Sequence, residues 1–216
     1  GEPLVQYREV LGETGGRRLV VQVGPNDAAA AEAALTSRFT DAGFHIVQKE
    51  EIGSHIGAEL KRSALLALVW ALVGMVIYIA IRFEFAFAVG AIVALLHDAI
   101  LSVGVFCLLG RQLSAPMIAV ILTIIGYSVN DTIVVFDRIR EGLKLWRGKS
   151  YVEIANLAIN QTLSRTLLTT GTTILSVLAL YFFGGGAIND FALLLLIGLV
   201  IGTYSSIFIA TPVMLL

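Results

Sequence analysis

Apolar residues follow two patterns along the chain. Up to about residue 62 they come in short groups divided by turn residues and charges. GGRRLVVQVGPND (15–27) and FHIVQKEEIG (44–53) predict strands. AAAAEAALTSRFTDAG (28–43) between them predicts a helix, with Asn26 or Asp27 as cap and Gly43 as stop. Two strands and one helix bury little apolar area, so this reads as an incomplete α+β domain over 1–61. From residue 62 onward the apolar runs lengthen. Runs at 63–81, 85–109, 115–136, 163–183 and 188–210 each approach the roughly 20 residues that cross about 30 Å of hydrocarbon. Residues 62–216 therefore predict an α-helical membrane bundle of five spans. The breaks are RFE (82–84), GRQLS (110–114), a long polar stretch at 137–162 and GGGA (184–187).

Composition agrees with this division. Apolar residues make up 57% of the 216 and charged residues 14%, against about 25% charged in a soluble domain. The net charge of -1 gives no basic excess for nucleic acid. A single cysteine, Cys107, rules out an internal disulfide and a cysteine-only metal site, and it reads as a small buried hydrophobe. No HxxxH or HExxH accompanies the histidines, so no metal cofactor is expected. No serine–histidine–acid arrangement emerges either, and the chain is not expected to be an enzyme. It begins at Gly1 without an initiator Met or signal peptide, which predicts a piece of a longer protein.

Charge asymmetry orients the spans. The 137–162 stretch carries Arg138, Arg140, Lys144, Arg147 and Lys149, and Arg82 lies on the same side. The positive-inside bias places this side in the cytoplasm, the N-terminal domain outside and the C-terminus in the cytoplasm. YVEIANLAINQTLSRTLL puts Val152, Ala155, Ala158 and Ile159 at helical spacings, predicting a short amphipathic helix on the inner surface.

Four ionisable groups fall inside or at the ends of the runs: Asp98 in the second, Asp131 in the third, Arg165 at the start of the fourth and Asp190 at the start of the fifth. Such groups are costly against lipid and face a bundle interior, a wet cavity or an opposite charge. Asp131 and Arg165 enter from the same side at similar depth, so they are placed to pair across neighbouring helices. Burial disfavours a charged carboxylate and a nearby arginine favours it, so a balanced site loads and releases a proton as water access changes. Ser128 and Asn130 flank Asp131, while Gln161, Thr169, Thr170 and Thr173 lie near Arg165 as a supporting polar path. A static polar latch between helices accounts for the same residues, and both readings stand at this point. Gly126, Gly198, Gly202 and Ser206 read as close helix-packing positions, the last three at small-xxx-small spacing.

The segments GYSVNDTIVVFDRIRE (126–141), RFEFAFAVGAIVALLHDAILSVG (82–104), QTLSRTLLTTGTTILSVLALYFFGG (161–185) and INDFALLLLIGLVIGTYSSIFIATPVMLL (188–216) closely resemble the SecF family of bacterial protein-export membrane proteins. IGSHIGAELKRSAL (52–65) resembles that family's junction between outer domain and membrane. SecF is free-standing or the C-terminal half of SecDF, within the resistance–nodulation–division (RND) transporter superfamily. The resemblance implies one half of a pseudo-symmetric RND-type bundle, lacking its first span, with a small extracytoplasmic domain. It implies an auxiliary subunit of the Sec translocase in the bacterial inner membrane. Proton or sodium flow would drive late, ATP-independent steps of export, with no other cofactor. The implied partners are SecD, the SecYEG channel with its SecA motor, unfolded preprotein and the lipid bilayer, with no nucleic acid. Asp131 is the implied coupling carboxylate, with Arg165 its membrane partner and Asp98 in support. An RND-type exporter of a small molecule or lipid, and a passive structural partner, are the alternatives.

Overall fold

The computed structural model describes the backbone of residues 4–9, 17–23, 27–39, 54–111, 113–114, 117–146, 148–184 and 186–216. The chain divides into two compact units, Gly1–Ser63 and Ala64–Leu216. In the first, strands β1 (Leu4–Glu9) and β2 (Arg17–Gln22) pair antiparallel, with Leu4 opposite Gln22 and Glu9 opposite Arg17. β2 lies within the predicted 15–27 segment. β1 was not anticipated, because its pairing partner lies a turn away and local pattern alone does not reveal it. Helix α1 (Ala28–Arg38) follows, with Asp27 at its N-cap but without a side-chain cap bond. The predicted stop at Gly43 and the strand over 44–53 lie outside the described residues.

Helix α2 (Ser54–Arg82) leads into α3 (Phe85–Leu108), α4 (Met117–Leu145), α5 (Tyr151–Phe183) and α6 (Gly186–Ser205). Among the described residues five helical stretches are long and apolar enough to cross a membrane: Arg62–Arg82, Phe85–Leu108, Met117–Leu145, Tyr151–Phe183 and Ile188–Met214. Two boundaries correct the sequence reading. α4 continues to Leu145, and the separate amphipathic helix is the opening of α5. Neither proline nor glycine interrupts residues 151–170, so nothing breaks the helix where the membrane run begins. A capping box starts α5: the Ser150 hydroxyl accepts from the Glu153 backbone N–H, and the Glu153 carboxylate accepts from the Ser150 backbone. At 1.5 Å per residue this helix of 33 residues is about 50 Å long, well beyond the hydrocarbon thickness.

The 137–162 stretch is therefore mostly a helical hairpin. Ile139, Ile154, Ala155 and Ala158 are buried in one apolar cluster. Trp146 covers Gly142 so closely that a Cβ there would stand 2.7 Å from the indole. Arg138 donates to Gln161 at 2.6 Å across the pair. Gly148 turns the chain with φ of 107°, a conformation that favours glycine.

The bundle holds two apolar cores with polar residues between them. Phe83, Phe87 and Phe136 stack edge-on or tilted in the first core, which includes Ile139 and Ala155. Phe106, Met117, Val120, Ile124, Leu194 and Leu199 form the second. The buried polar residues here include Asp98 and Ser102 on α3, Ser128 and Asp131 on α4, Thr162, Thr166 and Thr170 on α5, and Ser205 with Ser206 on the last span. The last span changes register here, with a π-helical turn at Ser206–Ala210 followed by the short helix α7 (Thr211–Met214). Pro212 cannot donate a backbone bond into the preceding turn, and a widened turn accommodates that loss. α3 packs directly on it: a Cβ on Gly90 would stand 2.5 Å from the Ala210 carbonyl oxygen.

Candidate functional site

Asp98 sits at the centre of the polar layer with 0% exposure. Its Oδ2 accepts from Ser128 Oγ on α4 and, at 2.7 Å, from Ser205 Oγ on α6. Its Oδ1 lies 3.1 Å from His97 Nδ1, so the two adjacent side chains do meet. One carboxyl group thereby joins α3, α4 and α6. Ser102, one turn further along α3, is buried with no hydrogen-bond partner among the described residues.

Asp131 lies three residues after Ser128 and is 3% exposed. Its Oδ2 has no hydrogen-bond partner among the described residues. Such an oxygen is rare and calls for a specific cause. Thr170 on α5 lies beside this carboxyl group. Thr170 shares a 3.0 Å hydrogen bond with Thr203 on α6 and accepts a long one, 3.5 Å, from the Tyr127 hydroxyl. Tyr127 also reaches Thr173 at 3.4 Å. The Asp131 site is thus framed by α4, α5 and α6.

The structure does not bring every expected residue together. Arg165 is exposed and forms no contact ion pair with Asp131 among the described residues. The cause is helical rotation: Thr166 and Thr170 take the inward face of α5, and Arg165 points about 100° away from Thr166. Asn130, Gln161 and Thr169 are also exposed, and Thr169 bonds the Arg165 carbonyl of its own helix at 3.0 Å. Gly198 and Gly202 make close contacts with Ile124 and Ser128 of α4, and Ser206 is fully buried. Gly126 does not pack: nothing lies within 4 Å of its Cβ position. Cys107 corrects another expectation. It is exposed, because Phe106 takes the inward position and the next residue turns outward. Ser205, Thr203 and Tyr127 were missed. The only signal for Ser205 was its place beside Ser206.

At the end opposite the hairpin, Arg111 pairs with Asp190 at 2.7 Å. Among the described residues no group of three or more His, Cys, Asp or Glu is arranged to hold a metal.

A bundle of five apolar, membrane-length helices around buried carboxyl and hydroxyl groups defines a multi-pass α-helical membrane protein. Residues 32–216 match the family described as protein export membrane protein SecD/SecF, C-terminal. The chain belongs to this SecD/SecF family. It is 48% identical to protein translocase subunit SecF of Koribacter versatilis over 213 residues, 98% of this chain and 52% of that protein. It is 49% identical to the SecF subunit of Desulfurispirillum indicum, over 82% of this chain and 57% of that protein. A crystal structure of SecDF, a translocon-associated membrane protein from Thermus thermophilus, superposes with a TM-score of 0.86 at 38% identity, covering 99% of this chain and 29% of that one. The chain thus spans little more than half the length of these SecF relatives.

Proposed function

We propose that this chain forms part of an auxiliary subunit of the bacterial Sec translocase. Proton or sodium flow through its polar layer is coupled to late, ATP-independent steps of preprotein export. The role is transport rather than catalysis. The observation that carries this reading is Asp131: a carboxyl group buried among the membrane-length helices, with one oxygen unpartnered among the described residues. Arg165 keeps its charge throughout and biases the site without carrying the proton.

The remaining assignments extend this reading. The bundle is one half of a pseudo-symmetric RND-type assembly whose other half is SecD, and it works with SecYEG and SecA on unfolded preprotein. The hairpin between α4 and α5 and the C-terminus face the cytoplasm. The unit containing β1, β2 and α1 belongs to an extracytoplasmic α+β domain. The test is export in sealed vesicles containing the complete SecD–SecF assembly, with SecYEG, SecA and a preprotein. Protease protection should rise when a gradient is imposed after ATP is exhausted. No gradient-dependent gain over vesicles lacking the assembly would refute the coupling role. Parallel pH-sensitive and sodium-sensitive dyes identify the ion.

A further inference from the structure

The two buried carboxyl groups of the polar layer are held differently. Asp98 has donors or ring contacts on both oxygens, from Ser128, Ser205 and His97. Asp131 keeps Oδ2 open among the described residues. A carboxyl group contacted on both oxygens has less room for an incoming ion than one with an open oxygen. The partners of Asp98 also stand on the helices that build the Asp131 site. Ser128 is one turn from Asp131 on α4. Ser205 is two residues from Thr203 on α6, and Thr203 bonds Thr170 beside Asp131.

We infer that Asp98 is a positioning residue for Asp131: it staples α4 to α6 through Ser128 and Ser205 and does not itself carry the ion. This rests on the ion-coupling role proposed for Asp131. The backbone around the staple is built for close approach. A Cβ at Gly202 would stand 3.2 Å from Ser128 Cβ, so α6 meets α4 at the staple. Immediately beyond Ser205 the span enters its π-helical turn, where Thr211 Oγ1 donates to the Ser206 carbonyl at 3.1 Å. Without the staple, the end of α6 just before the register-shifted turn would lose its hydrogen-bonded tie to α4. Thr203 and Thr170 would move relative to Asp131.

The test uses the complete SecD–SecF assembly in proteoliposomes and measures ion flux against pH. Asp98→Asn keeps a carbonyl oxygen for both hydroxyls but cannot titrate. Asp98→Ala removes the acceptor. Ser128→Ala with Ser205→Ala removes both donors and leaves the carboxyl group. Asp131→Asn is the reference. A positioning role predicts that Asp98→Asn loses no more than about threefold in flux, while Asp98→Ala and the double serine variant lose about tenfold or more. It also predicts that the double serine variant moves the pH midpoint of flux by roughly half a unit or more, which loss of bundle stability alone would not do. Asp98→Asn as inactive as Asp131→Asn would overturn the inference and make Asp98 an ion carrier. An unmoved midpoint in the double serine variant would equally overturn it. Normal flux in Asp131→Asn would instead bring down the underlying coupling role, which separates the two failures.

Discussion

Gly198 of α6 and Ile124 of α4 interlock: a Cβ at position 198 would overlap Ile124 Cδ1 and Cγ1 and stand 2.7 Å from Cγ2. The neighbour cannot yield cheaply, because isoleucine is branched at Cβ and stiff at χ1. Gly198→Ala is expected to cost about 1–3 kcal/mol by overpacking. Ile124→Ala removes all three crowding atoms and should restore room. The double variant is therefore expected to be more stable than the two single losses predict, by about 1 kcal/mol or more. Thermal unfolding of the assembly in detergent measures this, and simple additivity would mean the helices separate rather than collide.

Asp131→Glu retains a titrating group but moves it by one methylene. Partial gradient-dependent export is expected, against none for Asp131→Asn. Arg165 forms no contact ion pair with Asp131 among the described residues, so any role it has at the site rests on its charge rather than on a bonded fork. Arg165→Lys, which keeps the charge, should therefore retain more flux than Arg165→Gln, by about tenfold. Equal loss in the lysine and glutamine variants would show that the guanidinium shape, and hence direct contact, is what matters.

The Arg111–Asp190 pair ties the chain after α3 to the start of α6, with both side chains largely shielded. Arg111→Gln and Asp190→Asn are each expected to destabilise the bundle by roughly 1–3 kcal/mol. The double variant should cost less than their sum, since it leaves neither charge stranded. Denaturation midpoints in detergent supply the cycle. A coupling near zero would make the pair incidental.

Orientation can be read by cysteine labelling. Cys107 is exposed, so it must first be replaced by serine to remove background. In that background Lys149→Cys, beside the hairpin turn, should react with an impermeant maleimide only from the cytoplasmic face. Ser114→Cys, near Arg111, should react only from outside. The opposite pattern at both positions would invert the topology drawn from the basic residues.

Much of the membrane bundle was legible in the sequence, because hydrocarbon imposes length and apolarity on every span. What apolarity does not encode is where a helix stops. α4 and α5 run past the apolar runs because caps and breakers, not hydropathy, set their ends. Depth was legible in the same way: Asp98 and Asp131 were placed at membrane level by counting residues. Rotation was not. Whether Arg165 faces Asp131, whether Cys107 is buried and whether Gly126 meets a neighbour all depend on how helices cross, and no local pattern carries that. The staple at Asp98 joins residues 30 and 107 positions apart in sequence. Its members could be named singly but not assembled.

α5 is one unbroken rod, and Thr170 lies off its midpoint. From Thr170 to Tyr151 at the hairpin end is about 28 Å, and from Thr170 to Phe183 about 20 Å. Thr170 therefore divides the rod into unequal arms. A tilt of about 10° there would swing the hairpin end by about 5 Å and the other end by about 3 Å in the opposite sense. The ratio of the arms is fixed by chain length alone, so any tilt about Thr170 would move the end that carries the basic turn further.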